Sequence, residues 1–203
     1  MSTIPVAPPE PELAPPLHAH RFSVEEFEHL LDIGVFKSGD PVELLEGWIV
    51  DKMTQYPPHA SASDYVEDAL RAALPAEWRL REQKPIRTAD SLPEPDIAVV
   101  RGPKERYRRR HPIPADVAFV VEISDTTLRE DRHRKGRIYA RARIPIYWIV
   151  NLPGAVIEVY SHPRAGKTPG YRQCQEYARN DSVPLVIEGR EIARIPVQDL
   201  LPG

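Results

Sequence analysis

Asp96, Glu122 and Lys135 are far apart in the chain but are of types that can act together. Glu122 ends the apolar, β-branched run Val117-Ala118-Phe119-Val120-Val121 and is followed by Ile123 and Ser124. Such a run reads as a strand buried on both faces of a sheet. A carboxylate at its end is costly unless it is paired, hydrogen-bonded or bound to a metal. Asp96, just after Pro95, introduces a second short apolar strand over 97–100. Where these strands are neighbours, the two carboxylates converge at one edge of the sheet. Close carboxylates repel, so a divalent cation is the natural third party. Magnesium keeps several waters and takes one or two carboxylates plus a substrate phosphate; manganese is the alternative. The backbone carbonyl of Ile123 is a further candidate ligand. The chemistry this suggests is metal-assisted hydrolysis of a phosphodiester, with an ammonium beside it to orient water or to stabilise developing charge.

The elements that must position these groups can be read from periodicity. Ser23 and Glu26 have capping-box spacing, and Val24, Phe27, Leu30 and Leu31 follow at helical intervals, predicting a helix over 23–33. Residues 43–50 read as strand, tight glycine turn and strand. Ala62, Tyr65, Val66, Ala69, Leu70 and Ala73 form one face of a helix over 59–74, ended by Pro75. A weak strand over 78–87 precedes the one at 97–100. Thr126 or Thr127 caps a helix over 129–143, and a buried strand follows over 144–151. Pro153-Gly154 turns that strand into a hairpin with 155–160. Stretches 171–177 and 183–187 extend an antiparallel flank, and 197–201 is a terminal cap. The order predicts an α/β (α+β) domain, a mixed sheet with helices on its faces.

With 203 residues, 41% hydrophobic and 28% charged, the chain suits one domain with a sizeable core. Residues 1–20 are Pro-rich and read as a disordered tail, so the domain is expected over 21–203. The lone Cys174 excludes an intrachain disulfide and a cysteine-based zinc cluster. No apolar run is long enough to span a bilayer and no secretory pattern is present, which favours the cytoplasm. A net charge of -3 excludes a general polyanion binder, so nucleic-acid contact has to come from local clusters. Lys104, Arg106, Arg108, Arg109 and Arg110 flank Tyr107, a pattern suited to phosphate contact and base stacking. Arginines on the helix carrying Lys135 point at successive angles and do not all face one ligand.

Pro95-Asp96 followed by Glu122-Ile123-Ser124 resembles the PD-(D/E)XK nuclease superfamily. The wider set is Glu43-Leu44-Leu45-Glu46-Gly47, His59, Pro95-Asp96, Val121-Glu122-Ile123-Ser124, Asp131, Lys135, Tyr139 and Tyr147-Trp148-Ile149-Val150. Its order resembles the Uma-type bacterial family of restriction endonucleases, over 21–201. The resemblance implies a restriction-endonuclease-like mixed sheet flanked by helices, and a magnesium- or manganese-dependent endonuclease acting on nucleic acid, with DNA expected. It implies Asp96 and Glu122 on the metal and Glu46 in its shell, with Glu43 the rival for that place. It further implies His59 at the substrate, and a homodimer. One departure stands out. The superfamily pattern has lysine two residues after the glutamate, where this chain has Ser124. In the Uma-type family the lysine looks transferred to the following helix, making Lys135 the candidate, on one helix face with Asp131 and Tyr139.

Plainer readings stand beside these. Asp96 suits a strand start, Glu122 suits pairing with an arginine such as Arg137, and Lys135 suits a solvated helix face. Glu46 suits a hairpin turn, His59 a helix start and Tyr139 core packing. Ser124 lacks a nucleophile elbow, and Asp131 and His133, two apart on a helix, do not face each other. The displaced lysine also motivates a different class of function, a nucleic-acid- or protein-binding module on a nuclease scaffold that no longer cuts. A non-nucleolytic metal hydrolase is the third.

Overall fold

The computed structural model describes residues 19–37, 39–53 and 56–201. The Pro-rich segment therefore lies outside the described residues, except for its last two positions. The first elements are α1 (Val24–Asp32), the hairpin β1 (Val42–Leu45) and β2 (Trp48–Asp51), α2 (Pro57–Ala73) and β3 (Trp78–Glu82). Then come β4 (Ile97–Arg101), a 3-10 turn at Lys104–Tyr107 and β5 (Val117–Ser124). A helical run follows: α3 (Leu128–Glu130), a π-helical turn Asp131–Lys135 and α4 (Gly136–Arg141). The chain closes with β6 (Ile146–Asn151), β7 (Val156–Arg164), β8 (Gly170–Ala178), β9 (Ser182–Ile187) and β10 (Arg190–Pro196).

Six strands form one mixed sheet in the order β3-β4-β5-β6-β7-β8. Only β5 and β6 are parallel, joined by the helical run over 128–141 as the crossover. All eight residues of β5 are buried, as its unbroken apolar run requires. Alternation sorts its side chains. Phe119, Val121 and Ile123 enter a core with Ala62, Val66 and Leu70 of α2 and with Val183, Leu185 and Ile195. Val120 faces the other way, among Ile138, Tyr139, Tyr147 and Ile149. Fully burying each such aliphatic or aromatic side chain contributes about 1.5–3 kcal/mol. Glu122 and Ser124, an even number of residues from Val120, therefore point toward α4.

The predicted α/β (α+β) layout is the one observed, with local differences: the strand expected over 78–87 ends at Glu82 and the one over 144–151 begins at Ile146. The stretch 183–187 does not extend the main sheet. It is β9, paired with β10 in a separate two-stranded sheet that covers the α2 side of the core. Glu188 and Gly189, at φ 50° and 76°, make the two-residue turn between them, and Glu-Gly is a weak signal for such a turn. The crossover helix contains a π turn that periodicity does not reveal. The helix over 59–74 begins earlier, at Pro57, because proline at the first turn gives up no hydrogen bond.

The capping box at Ser23 forms as expected: Glu26 N–H donates to Ser23 Oγ at 3.1 Å and Ser23 N–H to Glu26 Oε2 at 2.7 Å. The β1–β2 hairpin turns through Glu46 and Gly47, both at positive φ, 53° and 81°. It is tied to the loop leading into Asp96 by Leu92 N–H to Leu44 O (2.7 Å) and Glu94 N–H to Glu43 Oε2 (3.0 Å).

Candidate active site

Asp96 and Glu122 are brought together by the antiparallel pairing of β4 with β5. Ile97 lies opposite Val121, so Asp96, one residue before β4, falls beside the end of β5. Its Oδ2 accepts the Ile123 backbone N–H at 2.7 Å. The same oxygen is 3.1 Å from His59 Nε2, delivered by the first turn of α2. The ends of these strands open onto a cleft of about 1300 Å³ lined by Glu43, His59, Asp96, Glu122, Ile123, Asp131 and Lys135 among others.

Glu122 is held from the crossover helix. Its Oε1 accepts the Tyr139 hydroxyl at 2.6 Å and its Oε2 lies 3.0 Å from Lys135 Nζ. Asp131 stands next to this pair, 3.9 Å from Lys135 Nζ, and accepts the hydroxyls of Ser124 and Thr127, each at 2.6 Å. Ser124, two residues after Glu122, thus anchors the helix that carries Lys135. The π turn Asp131–Lys135 is the local device, and such turns recur at functional sites. Gly136 closes it, donating its N–H to Asp131 O; a Cβ there would meet that carbonyl at 3.3 Å.

Burial pushes the Glu122 carboxyl well up. Lys135 opposes the shift, while Asp96 and Asp131 add to it. Burial also works against the Lys135 ammonium, but Glu122, Glu43, Asp131 and Asp96 outweigh it and hold its pKa well above that of ordinary lysine. At His59 burial acts downward, but its hydrogen bond to Asp96 and the charges of Asp96 and Asp131 raise the net value. The site is therefore an ammonium among four carboxylates, where a cation would offset both the burial of Glu122 and its repulsion by Asp96 and Asp131.

Among the described residues, no three His, Cys, Asp or Glu side chains are grouped so as to hold a metal ion. Magnesium does not need such a cage, because one or two carboxylates plus water and phosphate suffice. Asp96, Glu122 and the Ile123 carbonyl are hard oxygen donors of the required kind. In a strand the N–H and C=O of one residue project to the same side, so the Ile123 carbonyl shares the side from which its N–H meets Asp96. The residues fit such a cation.

Other candidates stand elsewhere. Glu46 does not line the cleft. Arg137 grips its carboxylate through two nitrogens, and Arg141 lies at 2.9 Å from it. The Arg137 hydrogen bond lowers its pKa, assisted by Arg141 and against burial. The arginine that might have satisfied Glu122 is thus engaged at Glu46. Glu43, the rival, is 5% exposed and lines the cleft. Arg106 is 2.7 Å from the buried Asp116, which Arg110 also meets at 2.6 Å. Arg108 and Arg109 are exposed, and no residue of 104–111 lines the cleft. The segment leaves β4 at the end away from Asp96. Arg129, on the crossover helix, does line the cleft and makes no ion pair among the described residues. Tyr139, more suited by sequence to packing, proves to be a direct partner of Glu122, and its i, i+4 spacing from Lys135 was the available signal.

Tyr139→Phe is expected to cost about 1–3 kcal/mol of stability, because a buried carboxylate oxygen loses its donor. Urea denaturation at neutral pH measures it. The Glu122 carboxyl moves further up in the same variant.

A family profile described as "Uma2: Putative restriction endonuclease" matches residues 24–197. Among solved structures, the chain is similar to a crystal structure described as a putative nuclease belonging to DUF820, from Anabaena variabilis. The two are 15% identical, with 88% of this chain and 97% of that chain covered and a TM-score of 0.64. At that identity the likeness carries the fold alone. No curated protein matches.

Proposed function

The chain belongs to the Uma2 family, described as putative restriction endonucleases, and from that premise we propose that it is a divalent-metal-dependent endonuclease hydrolysing phosphodiester bonds in DNA. The observation carrying this reading is the hydrogen bond from the Ile123 N–H, beside Glu122, to the Asp96 carboxylate, with Lys135 on Glu122 in the same cleft. Asp96, Glu122 and the Ile123 carbonyl would hold magnesium or manganese. Such a cation lowers the pKa of water and neutralises charge on the phosphodiester. Lys135 Nζ orients the attacking water and donates to the charge developing on phosphorus oxygens. A P–O bond to water forms, the P–O bond to the leaving sugar oxygen breaks, and a water proton ends on that oxygen. Arg129 at the mouth of the cleft contacts a flanking phosphate. His59 fixes the Asp96 carboxylate. In place of Glu46, Glu43 supports the metal from β1.

Supercoiled plasmid incubated with magnesium or manganese, and in parallel with EDTA, tests the reading. Nicking or linearisation that EDTA abolishes is the expected result. DNA retention without cleavage under every metal condition would indicate the binding scaffold instead, a reading favoured by the engagement of both Glu122 oxygens by Tyr139 and Lys135. Cleavage of bis(p-nitrophenyl) phosphate but of neither DNA nor RNA would indicate a small-substrate hydrolase.

Glu43 and Glu46 are separable by the same assay. Glu43→Gln is expected to lower cleavage about 10–100-fold, the range of a group supporting a metal. Glu46→Gln is expected to leave cleavage intact and to appear as a stability loss of about 1–3 kcal/mol. The reverse pattern would return Glu46 to the site.

A further inference from the structure

Among the described residues β8 forms the edge of the main sheet and pairs on one side only, with β7. It is nine residues long. Its middle five residues, Arg172, Gln173, Cys174, Gln175 and Glu176, are all exposed. Exposed edges of this length are normally guarded by proline, charged side chains, lysine above all, or a bulge; the charges on β8 are one arginine and one glutamate, of opposite sign. β8 contains neither proline nor lysine, and its register with β7 runs without a shift. Neither Arg172 nor Glu176 has an ion-pair partner among the described residues.

The order of these residues says what fits the edge. Read outward from Cys174, the chain has glutamine on each side, and then arginine on one side and glutamate on the other. An antiparallel copy centred on Cys174 therefore puts Arg172 opposite Glu176 of the second copy, twice. Each Gln173 meets a Gln175, and the two Cys174 residues face each other across the axis. Opposite charges directly across a seam stabilise it, and paired glutamine amides can hydrogen-bond. A one-residue slip destroys the charge match. We infer that two copies of this chain pair along β8 in this register, joining two six-stranded sheets into one.

The pairing reverses strand direction at the seam. Antiparallel neighbours related by a two-fold axis present their matching ends in opposite directions. The two clefts at the ends of β5 then lie at opposite ends of the joined sheet, seven strand spacings apart across it, or about 34 Å. Only this consequence rests on the proposed site. In that arrangement each copy acts on its own stretch of nucleic acid.

Sedimentation of the full chain over a range of concentrations tests the pairing without reference to cleavage. The expected result is a reversible dimer. Arg172→Glu and Glu176→Arg each raise the dissociation constant about tenfold, since either places like charges opposite at two positions. The double variant carrying both changes restores it. Cys174 supplies a second readout, being the chain's one cysteine. Directly opposed antiparallel residues have Cα atoms about 4.5–5.5 Å apart, within disulfide reach. With diamide, two Cys174 thiols lose two protons and two electrons, forming the disulfide and reducing diamide to the hydrazine. Rapid linkage in the native chain and the double variant, and slow linkage in the single variants, supports the register. A monomer at every concentration overturns the proposal. So does a dimer indifferent to both charge reversals.

Discussion

Asp96→Asn is expected to reduce metal-dependent cleavage by about 10³-fold or more while leaving the fold intact, on the scale of losing a preorganised charge at the reacting phosphate. Asparagine is the informative replacement because its shape preserves the local bonds. The amide oxygen can take the place of Oδ2, accepting the Ile123 N–H, now at 2.7 Å, and facing His59 Nε2, now at 3.1 Å. What disappears is the negative charge. Thermal denaturation should therefore change little, whereas manganese binding followed by electron paramagnetic resonance should be lost. A second readout is independent of catalysis. His59 titrates high because of its bond to Asp96 and the nearby carboxylates, against burial. With the Asp96 charge gone, its pKa should drop, as followed by NMR of the imidazole. In the native chain the raised value means that the pair's stability is fully present below the ordinary histidine pKa and is lost as pH rises through the raised one. In Asp96→Asn that slope should vanish. An Asp96→Asn protein that still binds manganese and still cuts would remove Asp96 from the metal, and the proposed chemistry with it.

The parts of this site legible from sequence are those fixed by covalent adjacency and strand alternation. β5 announces itself by five apolar residues, and Glu122 two residues past Val120 must share its face. Pro95-Asp96 marks a strand start, and two short apolar strands are natural neighbours. Register decides the rest. Nothing local to Asp96 specifies that Ile97 pairs with Val121 rather than two residues away, and only that pairing puts the carboxylate on the Ile123 amide. Glu46 illustrates the opposite failure. Its place beside Gly47 was readable, but its partners Arg137 and Arg141 lie ninety or more positions downstream. A tertiary ion pair overrides what spacing suggests. In the basic stretch 104–110, Arg106 and Arg110 are partners of the buried Asp116, whereas Arg108 and Arg109 stay exposed. Local charge density is visible in sequence, whereas charge compensation depends on the fold.

Lys135→Met should show the second large effect, on stability as well as cleavage. Methionine keeps much of the stem's volume and removes the ammonium. Glu122, with its side chain 3% exposed, is then left with Tyr139 alone against Asp96 and Asp131. Breaking a buried pair from one side costs about 3–5 kcal/mol, mostly from the uncompensated charge that remains. The dependence on pH fixes the cause. The folded Glu122 pKa already lies above its ordinary value of 4.5, and losing Lys135 raises it further. A group whose folded pKa is raised contributes stability that is fully present below the unfolded pKa and lost as pH rises through the folded one. The gap between native chain and variant should therefore be small near the ordinary carboxylate range and widen toward neutral pH, closing again only where the Lys135 ammonium itself is lost. Adding Glu122→Gln to Lys135→Met should close most of that gap, because no charge is left to compensate. Cleavage should be down about 10²–10³-fold in Lys135→Met and should not return in the double variant, since an amide neither holds the cation nor replaces the ammonium. If the single variant lost the same stability at every pH, or the double variant were worse than the single, Lys135 would be a packing residue. The displaced lysine would then have no part in orienting water, and the cleft would be better explained as a binding surface.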